Sequence, residues 1–466
     1  MVESFTLNKP FALEGHWWIP SEPSVDSKYG VLTFEPGQYI TLQLDDFERL
    51  SKSDSWSFGG EAEEGPSLIR GKTRTGYSII LLKNKTFAFN RFYPQLVMIS
   101  DLGQIPWNDI EEIKFHRLAA QLSYLENWYG HFPFSEHRDQ DKPLPEITVK
   151  YISPETLVVP ISDLDFEVRF VPSLEANLER TRITLTYRLL AEVVAHKAQP
   201  VWWFLDQLQH VQDLLALLVG EEVRKQALAA KLDPSEAGMD VGLYIHILHS
   251  VPIPNLRGDV PASMISASTL GESLLQVTNA WFRPETRKLW DVVRDNFFGV
   301  FYGALDIPHY QFLALVQALE SYHRTKFGGK YMCETAYEPV REALVRAIPS
   351  GIAPDHRDSL KSRIKYGNEY SLQKRLTSLL NSLDQQFQAI LRIEKPYLRK
   401  IVDTRNYYIH YDQAIRSSIL QDQELAVAIS RLAYLMLTLL LKDELLIRED
   451  LILELLKRAR NLGRLW

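Results

Sequence analysis

The sequence predicts an α+β protein in which a β-rich N-terminal domain is followed by an all-α helical bundle. Up to about residue 195 the apolar runs are short and Gly or Pro separates them, which is typical of strands. From residue 265 onward apolar residues recur three or four positions apart, as on the buried face of a helix. Between these regions, segment 252–261 has three prolines and a Gly-Asp pair, a composition typical of a linker. We therefore predict two domains, 1–260 and 261–466, as the chain length also suggests.

Composition excludes several classes of protein. The 466 residues carry a formal net charge of −7, which argues against a protein that coats nucleic acid through its overall field. Cys333 is the only cysteine, so a disulfide framework and a cysteine-rich zinc site are excluded, and a reducing cytoplasm suits the chain. The N-terminus lacks the features of a signal peptide, and the longest apolar run, 432–441, is too short to span a bilayer. We expect a cytoplasmic protein with no membrane contact, no metal and no other cofactor.

The first domain is predicted to consist of strands and two helical segments. Segments 30–37 and 39–44 form a predicted hairpin, because turn residues stand where the chain must reverse. A helix is predicted over 118–129, and a longer helical segment at about 200–232, where leucines and valines recur on one side. The other predicted strands are 15–20, 76–82, 96–99, 147–152, 166–170, 182–187 and 243–248.

The second domain is predicted to be helical throughout. Helix spacing is followed most closely between residues 372 and 391, where eight apolar residues fall on one face. Short connections between the helices favour a compact antiparallel bundle. The predicted helices are 265–301, 310–326, 336–347, 372–391, 395–411, 425–446 and 451–462.

One of these helices carries polar residues that suggest chemistry. Asn406 and His410 are four residues apart and therefore neighbours on one flank of the helix. Arg405 precedes Asn406 and falls on the apolar face of the same helix, where a buried guanidinium is costly unless another group pairs with it. Either these residues bind and cleave a phosphodiester, or Arg405 is a structural residue tied to an acid on another helix and His410 lies on the surface. On a helical wheel Arg405 lies in the middle of an apolar stripe, within about 60° of Leu398, Ile401, Val402, Tyr408 and Ile409.

Segment 403–412 contains Arg405-Asn406-x3-His410, which resembles the signature of HEPN domains, helical bundles that include many metal-independent ribonucleases. The longer string Thr-Arg-Asn-Tyr-Tyr-Ile-His-Tyr-Asp is similar to that of ApeA-like bacterial anti-phage proteins. The Trp-Trp pair at 17–18 and the strand that follows it resemble the start of the ApeA-type N-terminal domain. The resemblance implies a C-terminal HEPN domain in which Arg405, Asn406 and His410 are catalytic residues.

The resemblance adds a fourth residue to the site. HEPN domains often carry an acid on an earlier helix that faces the Arg-His pair, and Glu320 matches that pattern. It would pair with Arg405 and hold Arg405 or His410 in place. RNA supplies its own 2′-hydroxyl nucleophile, so a base and a charge stabiliser suffice without a metal. We expect His410 to transfer the proton, Arg405 to stabilise charge on phosphorus, and Asn406 to hold His410 or a phosphate oxygen.

The signature lies in a basic part of an acidic chain. Segment 357–410 contains eleven Lys or Arg residues and five Asp or Glu residues. This local excess of positive charge favours a small phosphate-binding cleft over an extended groove, although a solvated basic face is the ordinary interpretation of such a segment. The resemblance to HEPN ribonucleases implies RNA, with tRNA among the candidates, as the ligand, and Arg399, Lys400 and Tyr407 are the expected binding residues. In the HEPN family a dimer brings two signature helices together, so we expect a homodimer or a higher homo-oligomer through this domain. The resemblance also implies an N-terminal domain that senses a phage protein and restrains the nuclease.

Two other functions fit the same sequence. The helical domain could be a catalytically inactive HEPN module that binds RNA or protein, with Arg405, Asn406 and His410 as structural residues. It could also be a helical scaffold with no role in nucleic-acid binding. RNA binding without cleavage would favour the first, and binding and toxicity that do not depend on His410 would favour the second.

Overall fold

A computed structural model describes residues 5–21, 27–45, 63–88, 90–100, 105–139, 146–232, 243–249, 264–411 and 413–463. It confirms the predicted fold class, because strands occupy residues 11–249 and helices occupy residues 267–461. The contacts divide the chain into two compact units. The predicted linker 252–261 lies outside the described residues, and the predicted domain boundary within it stays a prediction. The first unit comprises Met1–Val219, Val223–Pro261 and Ser266–Asn279, and the second comprises Gly220–Glu222, Ala262–Ile265 and Ala280–Trp466.

The first unit is built from antiparallel strands. They are β1 Phe11–Trp18, β2 Lys28–Phe34, β3 Thr41–Leu44, β4 Glu63–Glu64, β5 Leu68–Thr73, β6 Ser78–Ala88, β7 Arg91–Ser100, β8 Lys114–Leu122, β9 Phe134–Asp139, β10 Glu146–Tyr151, β11 Leu157–Ile161, β12 Phe166–Leu178, β13 Ile183–Pro200, β14 Lys225–Leu232 and β15 Leu243–His249. Strands β9 and β10 form a separate hairpin, and the others form one sheet in the order β11-β12-β13-β8-β14-β15-β7-β3-β2-β1-β5-β6-β4.

Part of this sheet closes on itself. Strand β7 pairs with β6 along its length and with β3 at Arg91 and Phe92, so β3, β2, β1, β5, β6 and β7 form a ring. Trp17 fills its interior and donates its indole N–H to the carbonyl of Gly30 at 3.1 Å. A Cβ at Gly71 would lie 2.3 Å from the Trp17 ring, so only glycine fits there. The interior also holds Leu13, Leu32, Leu42, Ile79, Leu81, Val97 and Ile99.

Outside this ring, helix α2, Val201–Val219, packs on β13 and β8. The predicted helix over 118–129 is wrong for most of its length, since only α1, Leu125–Tyr129, is helical. Residues of β8 are buried alternately, and the strand lies between β13 and β14. Pairing on both edges outweighs the helix propensity of its alanines.

The helical segment predicted at 200–232 is correct only in its first half. Helix α2 ends at Val219, before Gly220 with φ of +75°. Lys225–Leu232 is then β14, in which Leu228, Ala230 and Leu232 are buried alternately. Its sequence is rich in Ala and Lys, which does not favour a strand, and its pairing with β8 and β15 determines the conformation.

The second half of the chain is helical. The predicted single helices 265–301 and 372–391 are each divided, the first at 271–272 and again before Pro284, and the second at 382–384. The helices are α3 Ala267–Leu270, α4 Ser273–Phe282, α5 Pro284–Phe301, α6 Pro308–Phe327, α7 Glu334–Arg346, α8 Pro354–Lys365, α9 Leu372–Asn381, α10 Gln385–Leu391, α11 Lys395–His410, α12 Asp422–Leu439 and α13 Glu449–Asn461. A π-helical turn, Leu440–Glu444, follows α12.

Helix α6 is the central element of the second unit. It packs against α5, α9, α11 and α12, which places one of its faces opposite α11. The segment Asp422–Glu444 is long and apolar enough to cross a membrane, but 56% of its most apolar stretch is buried, as in the core helix of a bundle. Buried core residues of the bundle include Leu315, Leu319, Leu376, Leu379, Ile401, Leu432 and Met436.

Candidate functional site

The helix that carries the signature, α11, has defined ends. Pro396 lies in its first turn, where a missing N–H costs no hydrogen bond. Tyr411 adopts φ of +50° and donates its backbone N–H to the carbonyl of Tyr407 at 2.6 Å, which ends the helix. His410 is therefore the last helical residue.

The buried face of α11 differs from the wheel prediction. The fully buried positions are Leu398, Ile401 and Thr404, so the centre of the face lies beside Arg405 rather than at it. Ile409, which the wheel places near the centre of the face, is 46% exposed. Arg405 thus lies on the flank of the buried face, with 28% of its side chain exposed.

Arg405, Asn406 and Glu320 lie together. The Nη1 of Arg405 donates to the Oδ1 of Asn406 at 3.2 Å. The Nη2 of Arg405 lies 3.9 Å from the Oε2 of Glu320, whose side chain is only 16% exposed. Glu320 comes from α6, and the packing of α6 on α11 brings its carboxylate opposite Arg405. The structure therefore brings together three of the four residues predicted to be catalytic.

His410 is placed differently. Its side chain is exposed, and no hydrogen bond or ion pair joins it to another residue in the described part of the chain. Its neighbour Tyr408 packs inward, and its ring stacks on that of His309 with centroids 5.4 Å apart. Burial raises the pKa of Tyr408. Both ring nitrogens of His410 are thus available to a ligand.

The predicted RNA-binding residues lie on the same helix. Arg399 and Lys400 are exposed, and the Nζ of Lys400 lies 3.3 Å from the Oε1 of Glu424 in an exposed ion pair. Tyr407 is half-buried and its ring lies 5.7 Å from that of Tyr411. All three are on the outside of the bundle, and whether they bind RNA stays a prediction.

Sequence reasoning missed the charged residues behind Glu320. The Nη2 of Arg324 lies 3.4 Å from the Oε1 of Glu320, and its Nη1 donates to the Oε2 of Glu369 at 2.8 Å. The same Glu369 oxygen lies 3.5 Å from the Nη2 of Arg375, a side chain that is 1% exposed. The spacing of Glu320 and Arg324 is a local signal for an ion pair. Glu369 is 45 residues beyond Arg324, and nothing in the sequence links the two.

Besides Glu369, neutral groups hold the buried Arg375. It donates through Nη1 to the carbonyl of Gly328 at 2.9 Å and through Nε to that of Tyr370 at 3.2 Å. Its Nη1 also lies 3.2 Å from the Nδ1 of His323. Because a guanidinium only donates, Nδ1 must accept and the ring of His323 is neutral. Burial first, and then the charge of Arg375, lower the pKa of His323.

No group of three or more His, Cys, Asp or Glu residues that could hold a metal ion is found among the residues that the structure describes. The site instead offers one half-buried cation with a carboxylate partner, an amide and an exposed imidazole on a single helix and its neighbour. The cation can bind an anion, and the imidazole can exchange a proton.

Comparison with protein families gives two matches. The model of the ApeA N-terminal domain 1 matches residues 13–281. The model of the Apea-like HEPN matches residues 313–445, which include Glu320, Arg405, Asn406 and His410. Comparison with curated proteins and with solved structures gives no significant match.

Proposed function

Because the chain belongs to the ApeA family of anti-phage proteins with a C-terminal HEPN domain, we propose that it is a metal-independent endoribonuclease of bacterial abortive infection. A HEPN domain suggests nuclease activity in general. The observation that carries the proposal is the position of Arg405, which is held between Asn406 and Glu320 yet remains partly exposed, on the helix that also carries His410. A cation that is oriented but not enclosed can reach a phosphate.

The proposed reaction uses the 2′-hydroxyl of RNA as the nucleophile. His410 accepts its proton, the 2′-oxygen forms a bond to phosphorus, and the bond from phosphorus to the 5′-oxygen breaks. The products are a 2′,3′-cyclic phosphate and a 5′-hydroxyl, whose proton comes from a second acid. Arg405 binds the phosphate oxygens as their charge increases, and Asn406 orients Arg405 through the hydrogen bond between their side chains.

One Arg-Asn-His set has no second acid, and we propose that a second copy of the chain supplies it. Two HEPN domains would face each other through their signature helices as a homodimer or a higher homo-oligomer. Ile409 and Tyr411, which flank His410, are 46% and 61% exposed. Apolar residues exposed on both sides of a polar site support a contact that covers them.

RNA, with tRNA among the candidates, is the proposed substrate, and Arg399, Lys400 and Tyr407 are its proposed contacts. The exposed pair of Lys400 and Glu424 contributes little to stability, so a phosphate can take the place of Glu424 at small cost.

We propose a cytoplasmic protein whose N-terminal region senses a phage protein and restrains the nuclease. Family membership supports this role. The hairpin of β12 and β13 also carries exposed Leu174, Leu178 and Ile183, a surface suited to binding a protein.

The test is cleavage of RNA by purified wild type, Arg405→Ala and His410→Ala. Each substitution should lower the rate by about 10²- to 10⁴-fold, because a positioned acid-base or charge-stabilising group is lost. Circular dichroism checks that the variants are folded, and EDTA should leave wild-type cleavage unchanged. In infected cells, the wild type should arrest growth and degrade RNA, and Arg405→Ala and His410→Ala should do neither. Cleavage by His410→Ala at the wild-type rate would reject the site, and strict dependence on a divalent metal would indicate another class of nuclease.

A second candidate function is a catalytically inactive HEPN module that binds RNA or protein. The observation that favours it is the free side chain of His410, which no residue in the described part of the chain holds in place. A purified protein that binds RNA tightly, requires Arg405 for binding and never produces a cyclic phosphate would support this function instead.

A further inference from the structure

A row of alternating charges leads from the candidate site into the bundle. In order, it consists of Arg405, Glu320, Arg324, Glu369 and Arg375, with successive distances of 3.9, 3.4, 2.8 and 3.5 Å between the nearest atoms given for each pair. It contains three cations and two carboxylates, so one positive charge in the row is not neutralised.

The two ends of the row differ. Arg375 is buried, and its guanidinium donates to the carbonyls of Gly328 and Tyr370 as well as approaching Glu369. Arg405 is 28% exposed, and its distance of 3.9 Å from Glu320 is the longest in the row. Because Arg375 is 1% exposed and Arg405 is 28% exposed, Arg405 is the end of the row at which an anion from solvent can meet the positive charge.

We propose that Arg324 is a positioning residue that keeps Glu320 from neutralising Arg405, an inference that rests on the ribonuclease function proposed above. Arg324 binds Oε1 of Glu320 and is itself anchored by Glu369 at 2.8 Å. Glu320 therefore orients Arg405 through Oε2 alone. Without Arg324, the carboxylate is free to turn and form a two-point pair with Arg405, which would occupy the donors that a phosphate needs.

A purely structural role explains Arg324 less well. Its side chain is 52% exposed, and exposed ion pairs contribute little to stability. It is also the cation that contacts both carboxylates of the row. A stabilising surface pair would need only one of them.

The experiment is a double-mutant cycle in the full-length protein. Arg324→Met should lower kcat/KM for RNA cleavage by about 10- to 100-fold, because Arg405 is displaced from its productive orientation. Arg324→Lys should restore most of the activity. In the Glu320→Gln background, Arg324→Met should lower kcat/KM by less than about threefold, because a neutral amide cannot neutralise Arg405. A change of that size is on the order of the usual limit within which the effects of two substitutions are additive. Arg341→Met is the matched control, since Arg341 lies on another helix, pairs with Glu338 and has 42% of its side chain exposed.

Binding of a 2′-deoxy RNA analogue, measured by fluorescence anisotropy, gives a second readout that needs no cleavage. It should weaken in Arg324→Met and recover in the double variant. If wild type does not cleave RNA, the ribonuclease function fails while the binding cycle still tests the role of Arg324. Wild-type cleavage and binding in Arg324→Met would overturn the inference, as would an equal loss in the wild-type and Glu320→Gln backgrounds. Arg324→Gln replaces the methionine variant if the latter does not fold.

Discussion

At the scale of single residues, the buried pair of Arg375 and His323 explains why one glycine is required. A Cβ at Gly329 would lie 2.6 Å from the Nη1 of Arg375 and 3.0 Å from the Cε1 of His323, and Gly329 has φ of +82°. Both the close approach and the backbone conformation exclude larger residues. The pair also fixes the protonation state of His323, because its Nδ1 accepts from Arg375.

This pair predicts that stability falls in acid. The pKa of His323 is lowered in the folded protein, by burial and by Arg375, whereas the unfolded chain has the ordinary histidine pKa of about 6.5. As the pH falls below that value, the unfolded state takes up a proton that the native state excludes, so unfolding becomes more favourable. Urea unfolding followed by circular dichroism should show this loss developing as the pH falls below about 6.5. His323→Gln, which keeps an acceptor for Arg375, should reduce it, and the exposed His356→Gln should not. The same acid sensitivity in His323→Gln would contradict the assignment.

At the scale of elements, Thr404 connects the signature helix to the chain that follows it. Its hydroxyl is buried, donates to the carbonyl of Lys400 at 2.6 Å and accepts from the backbone N–H of Leu420 at 2.8 Å. Thr404→Val keeps the shape and leaves that N–H unsatisfied, so the free energy of unfolding should fall by about 1–3 kcal/mol. Urea denaturation measures the change, and Thr404→Ser, which keeps the hydroxyl, is the control. Thr404→Ser loses the methyl group that Thr404→Val keeps, so equal losses in the two variants would contradict the assignment of the loss to the hydrogen bond.

The helices of the site and the strand β14 show which parts of the structure the sequence can predict. The repeat of apolar residues is enough to place α6 and α11. The pairing of Glu320 with Arg405 is expected from the resemblance to HEPN domains, and the two side chains lie 3.9 Å apart. The strand β14 is not predicted, because its Ala- and Lys-rich segment becomes extended only through partners far along the chain. The contact of Arg324 with Glu369 is not predicted from the sequence for the same reason, since the two residues are 45 positions apart. Local patterns therefore predict the signature residues, and tertiary contacts determine what surrounds them.

At the scale of the whole molecule, the contacts of α4 bear on where an isolated helical domain should begin. Asn279 on α4 donates to the carbonyl of Pro160 at 3.0 Å and accepts from the N–H of Ser162 at 2.9 Å. The first unit accordingly includes Ser266–Asn279, and the N-terminal family match extends to residue 281. Since residues 250–263 are not described, the boundary at 260 stays a prediction, and these contacts favour starting an isolated helical domain after residue 281 rather than at 261.

The assembly of the whole protein gives the last prediction, which concerns the proposed dimer. Tyr408 is a poor probe, because its ring stacks on His309 within the same chain. Ile409 is 46% exposed beside His410, so Ile409→Arg would place two like charges near a two-fold axis without disturbing the core. Light scattering and RNA cleavage on the same preparation should show a monomer with little activity. Val340→Arg, at a helical position that is 41% exposed, should remain dimeric and active. A monomeric wild type that cleaves RNA would reject the composite site, and Glu320, which lies 3.9 Å from Arg405, would become the leading candidate for the second acid.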